Sequence, residues 1–464
     1  MKLTIIGGGG FRVPLIYKAL IADRSAGRVT ELRLYDTDEA RLQAIAEVLR
    51  ELAHRADEAP QVLTTSDAET ALAGTDFVFS AMRVGGTRGR AIDEQVALRH
   101  GVIGQETVGA GGISYALRCI PAVLDLVEKI KTHAPRAWVM NFTNPAGVVT
   151  EVMQRHLGER VIGICDSPLG LARRALDALR RAGLVASDVP GPDSGSDRLR
   201  IGYAGLNHLG WISTLHVDGI DVLPLLLARP DLIETFEEGR LFGAALIHSL
   251  GALPNEYLHY YYFSREDLAI DLASDKTRGV FLEAQQARFY REAKRAGEGA
   301  YDLWERTRRE REETYMATSR EAAGSFERDD ADLETGGYDQ VALAIMHAIA
   351  NDEPRTLILN VANQGALPEL DDAAVVEIPC RVDGSGPQRL PGAVLPPHGR
   401  GLVMNAKVVE RYTIAAATEG SREDAVLALM CHPLVDSYSV AVALLEELID
   451  SFDELSYLEK TARA

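Results

Sequence analysis

Cysteine is scarce in this chain. Four cysteines occur in 464 residues, at positions 119, 165, 380 and 431, and they are too far apart to form a recognisable framework. Disulfide-stabilised scaffolds are dense in cysteine, so that class is excluded, and the pattern is typical of a protein of the reducing cytosol. Taken singly, each cysteine is expected to be a small buried core residue.

Excess positive charge and long apolar runs are also missing. Lysine and arginine total 49 against 68 acidic residues, which gives a net charge of −19. Nucleic acids and anionic membranes select clustered basic residues, so we expect neither as a partner, although a local group of arginines could bind a small anion. We expect no signal peptide after MKLT and no membrane-spanning segment. These absences predict a cytoplasmic protein.

What the chain does have is a glycine loop near its N-terminus. The run KLTII is typical of a strand, Gly7–Gly10 follow it, and a helix is expected over 14–22 before a second strand that ends at Asp36. This order is typical of a dinucleotide-binding fold, where bare backbone approaches a pyrophosphate at a helix N-terminus. The third glycine of the usual pattern is absent, so a plain tight turn stays an alternative.

The acid at the end of the second strand favours NAD over NADP. A carboxylate at this position accepts hydrogen bonds from ribose hydroxyls and repels a 2′-phosphate. The alternative is a solvated acid at a strand end. We expect the nucleotide to be contacted by Gly7, Gly9, Gly10, Phe11, Arg12, Asp36 and Arg83.

Strands and helices alternate beyond this first unit. Further strands are expected within 75–82, 136–143 and 160–165, with helices between them, notably over 121–133. Such alternation predicts an α/β fold built on a Rossmann-like, doubly wound parallel sheet of the lactate and malate dehydrogenase kind.

The polar loop at 185–197 is the clearest candidate boundary in the chain. It predicts an NAD-binding domain over 1–197 and a mixed α+β domain, which would bind substrate and metal, over 198–464. In the second domain we expect a strand pair around 199–217, helices over 223–320 and near 338–350, strands near 355–361 and 374–382, and helices to the end.

Two chemically distinctive residues each follow a predicted strand. Cys165 lies in VIGICDSP and His208 in GYAGLNHLGW. A thiolate and an imidazole together suit a soft-to-borderline divalent metal, which ordinary hydroxy-acid dehydrogenases lack. A lone histidine is more often a core or surface residue, but its pairing with a strand-end cysteine favours a metal site. Five polar segments after strands support a site at one sheet edge: 83–90, 104–112, 141–147, 165–168 and 205–211.

A tyrosine-rich segment, LPNEYLHYYYF, follows at 253–263. Tyr257, Tyr260 and Tyr261 have helical spacing and could form an aromatic core stripe, or one phenol could act as a base. Lys276 and Arg278 come next and could bind an anionic substituent or form surface ion pairs.

Nine segments carry a resemblance to a known family: IGGGGFRVP, RVGGTRGRAIDE, GVIGQET, NFTNPAG, GICDSP, GLNHLGW, NEYLHYYY, TRGVFLEAQ and VEIPCRVDGSG. From residue 1 to about 450 the chain resembles glycoside hydrolase family 4, most closely its 6-phospho-β-glucosidase branch. The resemblance implies hydrolysis with NAD and a divalent metal, usually manganese, outside the two-carboxylate scheme. The implied reaction oxidises C3 of the sugar, removes the C2 proton, eliminates the aglycone, adds water and returns the hydride.

The resemblance also implies residue roles. Cys165 and His208 would hold the metal, and Tyr257 would take the C2 proton, with Tyr261 as the second choice. Asp166 would protonate the leaving group or serve only as a hydrogen-bonding residue. The family's 6-phospho-α enzymes carry Asp there and its 6-phospho-β enzymes commonly Asn, so the anomer stays open. Substrate contacts would be Arg90, Glu106, Asn144, Asn207 and Arg278, with the two arginines binding a 6-phosphate.

Relatives of this kind imply a homodimer or homotetramer, and the substrate would be a phosphorylated disaccharide or aryl glucoside. An unphosphorylated glycoside is an alternative within the same family. Two hypotheses of other classes remain. An NAD-dependent 2-hydroxy acid dehydrogenase would leave Cys165 and His208 without a role, and in a non-catalytic nucleotide sensor the metal and the tyrosines would be structural.

Overall fold

The computed structural model describes residues 1–329 and 337–459, and thirteen strands of these ranges form one sheet. The strands are β1 (Lys2–Ile6), β2 (Glu31–Tyr35), β3 (Gln61–Thr65), β4 (Phe77–Ser80), β5 (Trp138–Asn141), β6 (Val161–Gly163), β7 (Leu199–Leu206), β8 (Leu209–Val217), β9 (Ile220–Asp221), β10 (Leu253–Pro254), β11 (Arg355–Ala362), β12 (Val375–Asp383) and β13 (Gly386–Arg389).

Helices connect and cover these strands. They are α1 (Val13–Ala22), α2 (Glu39–His54), α3 (Ala68–Leu72), α4 (Gly86–Arg99), α5 (Gly109–His133), α6 (Ala146–Leu157), α7 (Ser167–Arg181), α8 (Leu223–Leu227), α9 (Pro230–Ile233), α10 (Glu237–Phe242), α11 (Ala244–Leu250), α12 (His259–Tyr262), α13 (Ser264–Ala273), α14 (Arg278–Ala296), α15 (Ala300–Glu313), α16 (Ala317–Ala322), α17 (Tyr338–Asn351), α18 (Pro397–Glu419), α19 (Arg422–Cys431) and α20 (Tyr438–Ser451). Short 3₁₀ turns span Gly158–Arg160, Glu256–Leu258 and Asp453–Leu458.

The first half of the chain forms the predicted parallel sheet. Its strands lie in the order β3-β2-β1-β4-β5-β6, which is the order of a doubly wound dinucleotide fold. Apolar side chains along β4 alternate between two hydrophobic clusters, with Phe77 and Phe79 on one face and Val78 on the other. Helices therefore cover both faces, and the chain reversal between β1 and β4 opens a crevice where a nucleotide can bind. The Rossmann-like prediction is confirmed.

Strands of the second half extend this sheet instead of forming another. Asn360 of β11 pairs with Gly163 of β6, and Glu377 of β12 pairs with both Asn360 and Gly205 of β7. The pairing changes from parallel to antiparallel at β6, so the added part is mixed, as expected. The division at residue 197 stays a prediction, since one continuous sheet runs through both parts.

Helix α5 begins twelve residues before the predicted start at Pro121, inside a segment that the sequence analysis treated as a polar loop. Gly111 and Gly112 occupy its first turn because side chains would not fit there. A Cβ atom at Gly111 would lie 2.2 Å from the carbonyl oxygen of Gln105, and one at Gly112 would lie 2.6 Å from the backbone of Thr107. Close packing against the preceding segment thus overrides the low helix propensity of glycine.

The same helix is long and apolar enough to cross a membrane, contrary to the sequence expectation that no segment would be. In its most apolar stretch, 78% of the residues are buried inside the fold. Central core helices of globular proteins have this character.

Candidate functional site

A cavity of about 620 Å³ lies at the crevice beside the glycine loop. Backbone geometry explains the glycines there. Gly7 has a left-handed φ of 85°, and a Cβ atom at Gly8 would lie 2.7 Å from Leu34. Of the residues predicted to contact the nucleotide, all but one line this cavity: Gly7, Gly10, Phe11, Arg12, Asp36 and Arg83. The loop therefore presents bare backbone to a ligand, as pyrophosphate binding requires.

Asp36 lies at the cavity wall, where the second strand ends. Its Oδ2 accepts a hydrogen bond of 2.8 Å from the amide of Gly9, and its Oδ1 accepts one of 3.0 Å from the amide of Asp38. Gly9, the remaining predicted residue, thus orients the acid. A fixed carboxylate at this position fits recognition of an adenosine ribose.

A second cavity, of about 230 Å³, adjoins the first. All five polar segments singled out in the sequence contribute to its wall, so the expectation that they form one site agrees with the structure. The two cavities share six lining residues: Arg12, Arg83, Arg90, Phe142, Asn144 and Arg311. A ligand in the smaller cavity would therefore lie next to a nucleotide in the larger one.

Cys165 and His208 both line the smaller cavity. His208 lies in the two-residue turn between β7 and β8 with a left-handed φ of 63°, a conformation that costs a non-glycine residue about 1 kcal/mol. Its Nδ1 lies 3.0 Å from the hydroxyl of Thr107, which fixes the ring, so Nε2 would be the nitrogen that binds a metal. Burial lowers the pKa of His208 to about 3, so the imidazole is neutral, as a metal ligand must be.

The thiol of Cys165 is buried in a region of negative charge. Burial, together with the carboxylates of Glu377 and Asp166, raises its pKa well above the usual value. A thiolate at this position needs a cation beside it. Within residues 1–329 and 337–459, no group of three histidine, cysteine, aspartate or glutamate side chains could hold a metal ion, so the pair would need further ligands. Buried Oδ1 of Asn144 and Oε2 of Glu256 belong to residues that also line the cavity, and neither atom has a hydrogen-bond partner among the residues that the structure describes. This donor set fits a divalent cation completed by oxygen ligands.

Tyr257 stacks directly on His208. The two rings are 3.7 Å apart, centroid to centroid, and nearly parallel at 6°. The hydroxyl of Tyr315 donates a hydrogen bond of 3.0 Å to the phenol oxygen of Tyr257. Burial and the Glu256 carboxylate raise the pKa of Tyr257 well above its ordinary value, while the bond from Tyr315 opposes this. The phenol therefore becomes a base only when a cation lies nearby.

Tyr261, the second choice for that base, does not line this cavity. It borders a separate cavity of about 60 Å³, where its hydroxyl lies 3.5 Å from Nε2 of His432. The segment turns from a 3₁₀ helix into the single turn of α12, so Tyr257 and Tyr260 line the smaller cavity while Tyr261 faces away from it. This geometry argues against Tyr261 as the base.

Two buried carboxyl groups next to the metal pair escaped the sequence analysis. Glu256 accepts hydrogen bonds from Ser167 at 2.7 Å and Tyr315 at 3.2 Å, while Glu377 accepts from Tyr203 at 2.9 Å and from Asn207 and Asn360. Burial raises the pKa of each to about 7. Both lie in segments that carry the family resemblance, Glu256 in NEYLHYYY and Glu377 in VEIPCRVDGSG, but neither was singled out as a site residue.

Asp166 lies at the cavity wall, directly after Cys165, the predicted metal ligand. Burial raises the pKa of its carboxyl, although the guanidinium of Arg12 opposes this. Gly337 packs so closely against it that a Cβ atom there would lie 2.6 Å from Cβ of Asp166. A carboxyl with a raised pKa at the wall of this cavity is suited to act as a general acid.

The predicted substrate contacts all line the smaller cavity, but their charges are not equally available. Arg90 is only 7% exposed and forms ion pairs with Glu94 at 2.7 Å and Glu106 at 2.5 Å. Glu106 also pairs with Arg83 at 2.7 Å. Burial would raise the pKa of Glu106, but the two arginines hold it well below its usual range. Arg90 thus fixes Glu106 in position.

Three other arginines surround one carboxylate, that of Glu312: Arg12 lies 3.4 Å, Arg328 3.5 Å and Arg311 3.8 Å from it. Arg278 lies beside them and donates to backbone carbonyl oxygens of Arg311 and Thr314. Burial lowers the pKa of Arg278 to about 10 and, together with Arg12, that of Arg311 to about 9. This excess of positive charge fits an anionic substituent. Arg311 was missed, because TRREREE is typical of a solvated helix face.

Comparisons with known proteins identify the family of this chain. The model described as "Family 4 glycosyl hydrolase" matches residues 2–181, and that of the "Family 4 glycosyl hydrolase C-terminal domain" matches residues 203–435. Together they cover most of the chain. The chain belongs to glycoside hydrolase family 4.

Two curated relatives differ in the anomer that their names give. A "Probable 6-phospho-beta-glucosidase" of Bacillus subtilis (strain 168) is 30% identical over 97% of this chain and 96% of its own length. A "6-phospho-alpha-glucosidase" of Leptotrichia buccalis is 30% identical, covering 97% of each chain. Membership of the family is thus shown, whereas the relatives do not decide between the anomers.

A solved structure shares the whole fold. The 6-phospho-beta glucosidase from Thermotoga maritima, described "with manganese, NAD+ and glucose-6-phosphate", has a TM-score of 0.78 and 26% identity over 97% of this chain and 98% of that chain. Malate dehydrogenase from Plasmodium falciparum covers 90% of this chain and 99% of its own at a TM-score of 0.50 and 12% identity, which shows likeness of fold alone.

Proposed function

We propose that this protein hydrolyses 6-phosphoglucosides with NAD and a divalent metal, most readily manganese. The observation that carries the proposal is the adjacency of two cavities: Cys165, His208 and Tyr257 line one, the glycine loop lines the other, and six residues belong to both. Named functions of the family relatives support the substrate class. A dehydrogenase would need no such metal pair.

Cys165 and Nε2 of His208 would hold the metal, and the loop with Asp36 would hold NAD. When bound, NAD accepts hydride from C3 of the sugar and returns it, and the metal polarises the oxygen at C3. Both residues line the smaller cavity, where hydroxyls of a bound sugar could complete the ligand set. Asn144 and Asn207 contribute amide groups at the same wall.

Tyr257 would take the proton from C2, which becomes acidic once C3 is oxidised. Its phenol oxygen is held by the hydrogen bond from Tyr315 and by the stack on His208, so the base is fixed before substrate arrives. Fixed geometry of this kind accounts for much of the advantage of a positioned base. Tyr315 is therefore a positioning residue for Tyr257.

The sugar phosphate would bind at the arginines around Glu312. Arg278 and Arg311 carry positive charge that a single carboxylate does not neutralise, whereas the charge of Arg90 is matched by Glu94 and Glu106. A phosphate dianion accepts charge-assisted, bidentate hydrogen bonds from guanidinium groups. Of the two arginines expected to bind the phosphate, Arg278 is the better placed.

We propose the 6-phospho-β-glucoside as the principal substrate. One observation favours the α-anomer as a second candidate: Asp166 lines the cavity, and burial raises the pKa of its carboxyl. Asp166 could then protonate the leaving group of an α-glucoside. The face of the sugar that the Asp166 carboxyl reaches would decide which anomer the enzyme prefers.

Chromogenic α- and β-6-phosphoglucosides test the proposal directly. With NAD, manganese and a thiol reductant, we expect aglycone release without net accumulation of NADH, because the hydride returns to the product. Stoichiometric NADH without aglycone release would indicate a dehydrogenase. Retained NAD binding with neither product would indicate a nucleotide sensor. The ratio of the two rates identifies the anomer.

Deuterium at C2 of the substrate tests the elimination step. We expect slower turnover, or loss of the label to solvent, because Tyr257 breaks the C2–H bond. Product that keeps all of its deuterium at full rate contradicts the mechanism.

We also propose a cytoplasmic location and assembly into a homodimer or homotetramer. Four free cysteines and a negatively charged chain support the first proposal, and the family resemblance supports the second. Light scattering coupled to size-exclusion chromatography measures the oligomer, and fractionation of the source cells measures the location.

A further inference from the structure

Three aromatic side chains from the second half of the chain bind the backbone of the glycine loop. The hydroxyl of Tyr290 donates to the carbonyl oxygen of Gly9 at 2.7 Å. The indole Nε1 of Trp304 donates to that of Phe11 at 2.8 Å. The hydroxyl of Tyr338 donates to that of Arg12 at 2.9 Å. Three of the four carbonyl oxygens between residues 9 and 12 are thus held from outside the loop.

The direction of these bonds matters for a nucleotide site. A phosphate needs the backbone N–H groups of the loop, so the carbonyl groups must point away from it into the protein. A buried carbonyl oxygen without a donor is costly. Trp304 and Tyr338 are fully buried, and the Phe11 side chain packs edge-on against Phe289 at 5.2 Å. The three donors therefore stabilise the loop conformation that a nucleotide requires.

Tyr290 also contacts the part of the larger cavity near Asp36, where the ribose would bind. The guanidinium of Arg41, which lines the cavity with Asp36, lies 4.4 Å from the centre of the Tyr290 ring and donates to its hydroxyl at 3.1 Å. One phenol thus joins the loop backbone to a cavity side chain.

Each of the three donors is on a helix that also lines the smaller cavity, which we call the sugar cavity; the larger one is the nucleotide cavity. Helix α14 carries Tyr290 and begins at Arg278, and helix α15 carries Trp304 and Arg311. Tyr338 begins α17, whose first turn also lines that cavity, and its ring stacks on Phe142 at 4.5 Å. The second half of the chain therefore supports both ligand sites with the same helices.

We propose that Tyr290, Trp304 and Tyr338 are positioning residues for the nucleotide: by donating to carbonyl oxygens of the loop, they hold residues 9–12 in the binding conformation. This inference rests on the proposed use of NAD. It predicts that removing a donor weakens NAD binding while the sugar site keeps its affinity.

Single-hydroxyl deletions test the inference without removing a ring. For Tyr290→Phe and Tyr338→Phe in the full-length protein, we expect the Kd of NAD, measured by calorimetry, to rise about 3- to 10-fold, the loss of one hydrogen bond. Trp304→Phe should act in the same direction. At saturating NAD and manganese, kcat and the KM for the chromogenic 6-phosphoglucoside should stay within twofold. Tyr301→Phe is the matched control, because that ring contacts Trp304 at 5.9 Å and not the loop.

An unchanged Kd in both tyrosine variants would overturn the inference. A KM for the 6-phosphoglucoside that rises as much as the Kd of NAD would also overturn it, because that result indicates general loss of structure. The Kd is measured without turnover. An NAD-binding wild-type protein that hydrolyses no glucoside therefore refutes the proposed function alone, and a wild-type protein that binds no NAD refutes both.

Discussion

The two cavities are built in different ways. The nucleotide cavity is centred on one contiguous stretch of strand, glycine loop and helix, in which glycines are required by close contacts with neighbouring strands, and later segments complete its wall. The sugar cavity is formed by side chains from many separate segments, and most of its ionisable groups are buried next to one another. Changes to single side chains should therefore be mild in the first cavity and severe in the second.

Loss of a metal ligand should show this difference most strongly. For Cys165→Ser we expect kcat/KM for the 6-phosphoglucoside to fall at least about 1,000-fold, because a hydroxyl replaces the thiolate that holds the metal. The Kd of NAD should stay within twofold. Both are measured on the same preparation, with and without added manganese.

Cys431→Ser is the matched control, since Cys431 is a half-buried cysteine outside both cavities. It should leave both quantities unchanged. If Cys165→Ser kept a tenth of the activity, or lost NAD binding in parallel, the two cavities would not respond separately to mutation as we expect.

Replacement of the proposed base should have the next largest effect. For Tyr257→Phe we expect kcat to fall about 100- to 1,000-fold, because the ring still stacks on His208 but has no oxygen to take the C2 proton. Tyr261→Phe should stay within twofold, as its hydroxyl borders another cavity. Steady-state kinetics of both variants decide the role, and a larger loss in Tyr261→Phe would reverse it.

A buried carboxyl that contacts the wall of the sugar cavity through Asn207 should make stability depend on pH. Burial raises the pKa of Glu377 to about 7. The unfolded chain loses this proton near pH 4.3, so between about pH 4.5 and 7 the folded state binds more protons and stability falls as pH rises. Over this whole pH range, the free energy of unfolding of the metal-free protein should fall by about 3 kcal/mol.

Glu377→Gln should flatten the fall in the thermal midpoint of chelator-treated protein between pH 5 and 8. The exposed Glu454→Gln should keep the wild-type slope. An unchanged slope in Glu377→Gln would show that its carboxyl is ionised in the folded state.

The sequence was sufficient where function depends on contiguous motifs. The order strand, glycine loop, helix, strand and acid predicted the nucleotide cavity, and Cys165, His208 and Tyr257 were found because each lies in a distinctive short segment. The sequence was insufficient where packing between distant segments decides where a helix begins or which side chains reach the site. Helix α5 begins at Gly109 through close contacts that no propensity shows. Glu377 and Arg311 join the site only because the sheet and α15 bring them there.

The smallest effect should come from the nucleotide cavity itself. For Asp36→Asn we expect the Kd of NAD to rise about 3- to 10-fold, because a neutral amide accepts hydrogen bonds from ribose more weakly than a carboxylate. Binding of NADP should improve relative to NAD, since repulsion of a 2′-phosphate is lost. The KM for the 6-phosphoglucoside at saturating NAD should not change. Asp57→Asn, at an exposed acid, is the control. If Asp36→Asn instead abolished turnover with saturating NAD, the acid would act on the sugar cavity through the shared wall, and the two cavities would be one functional unit.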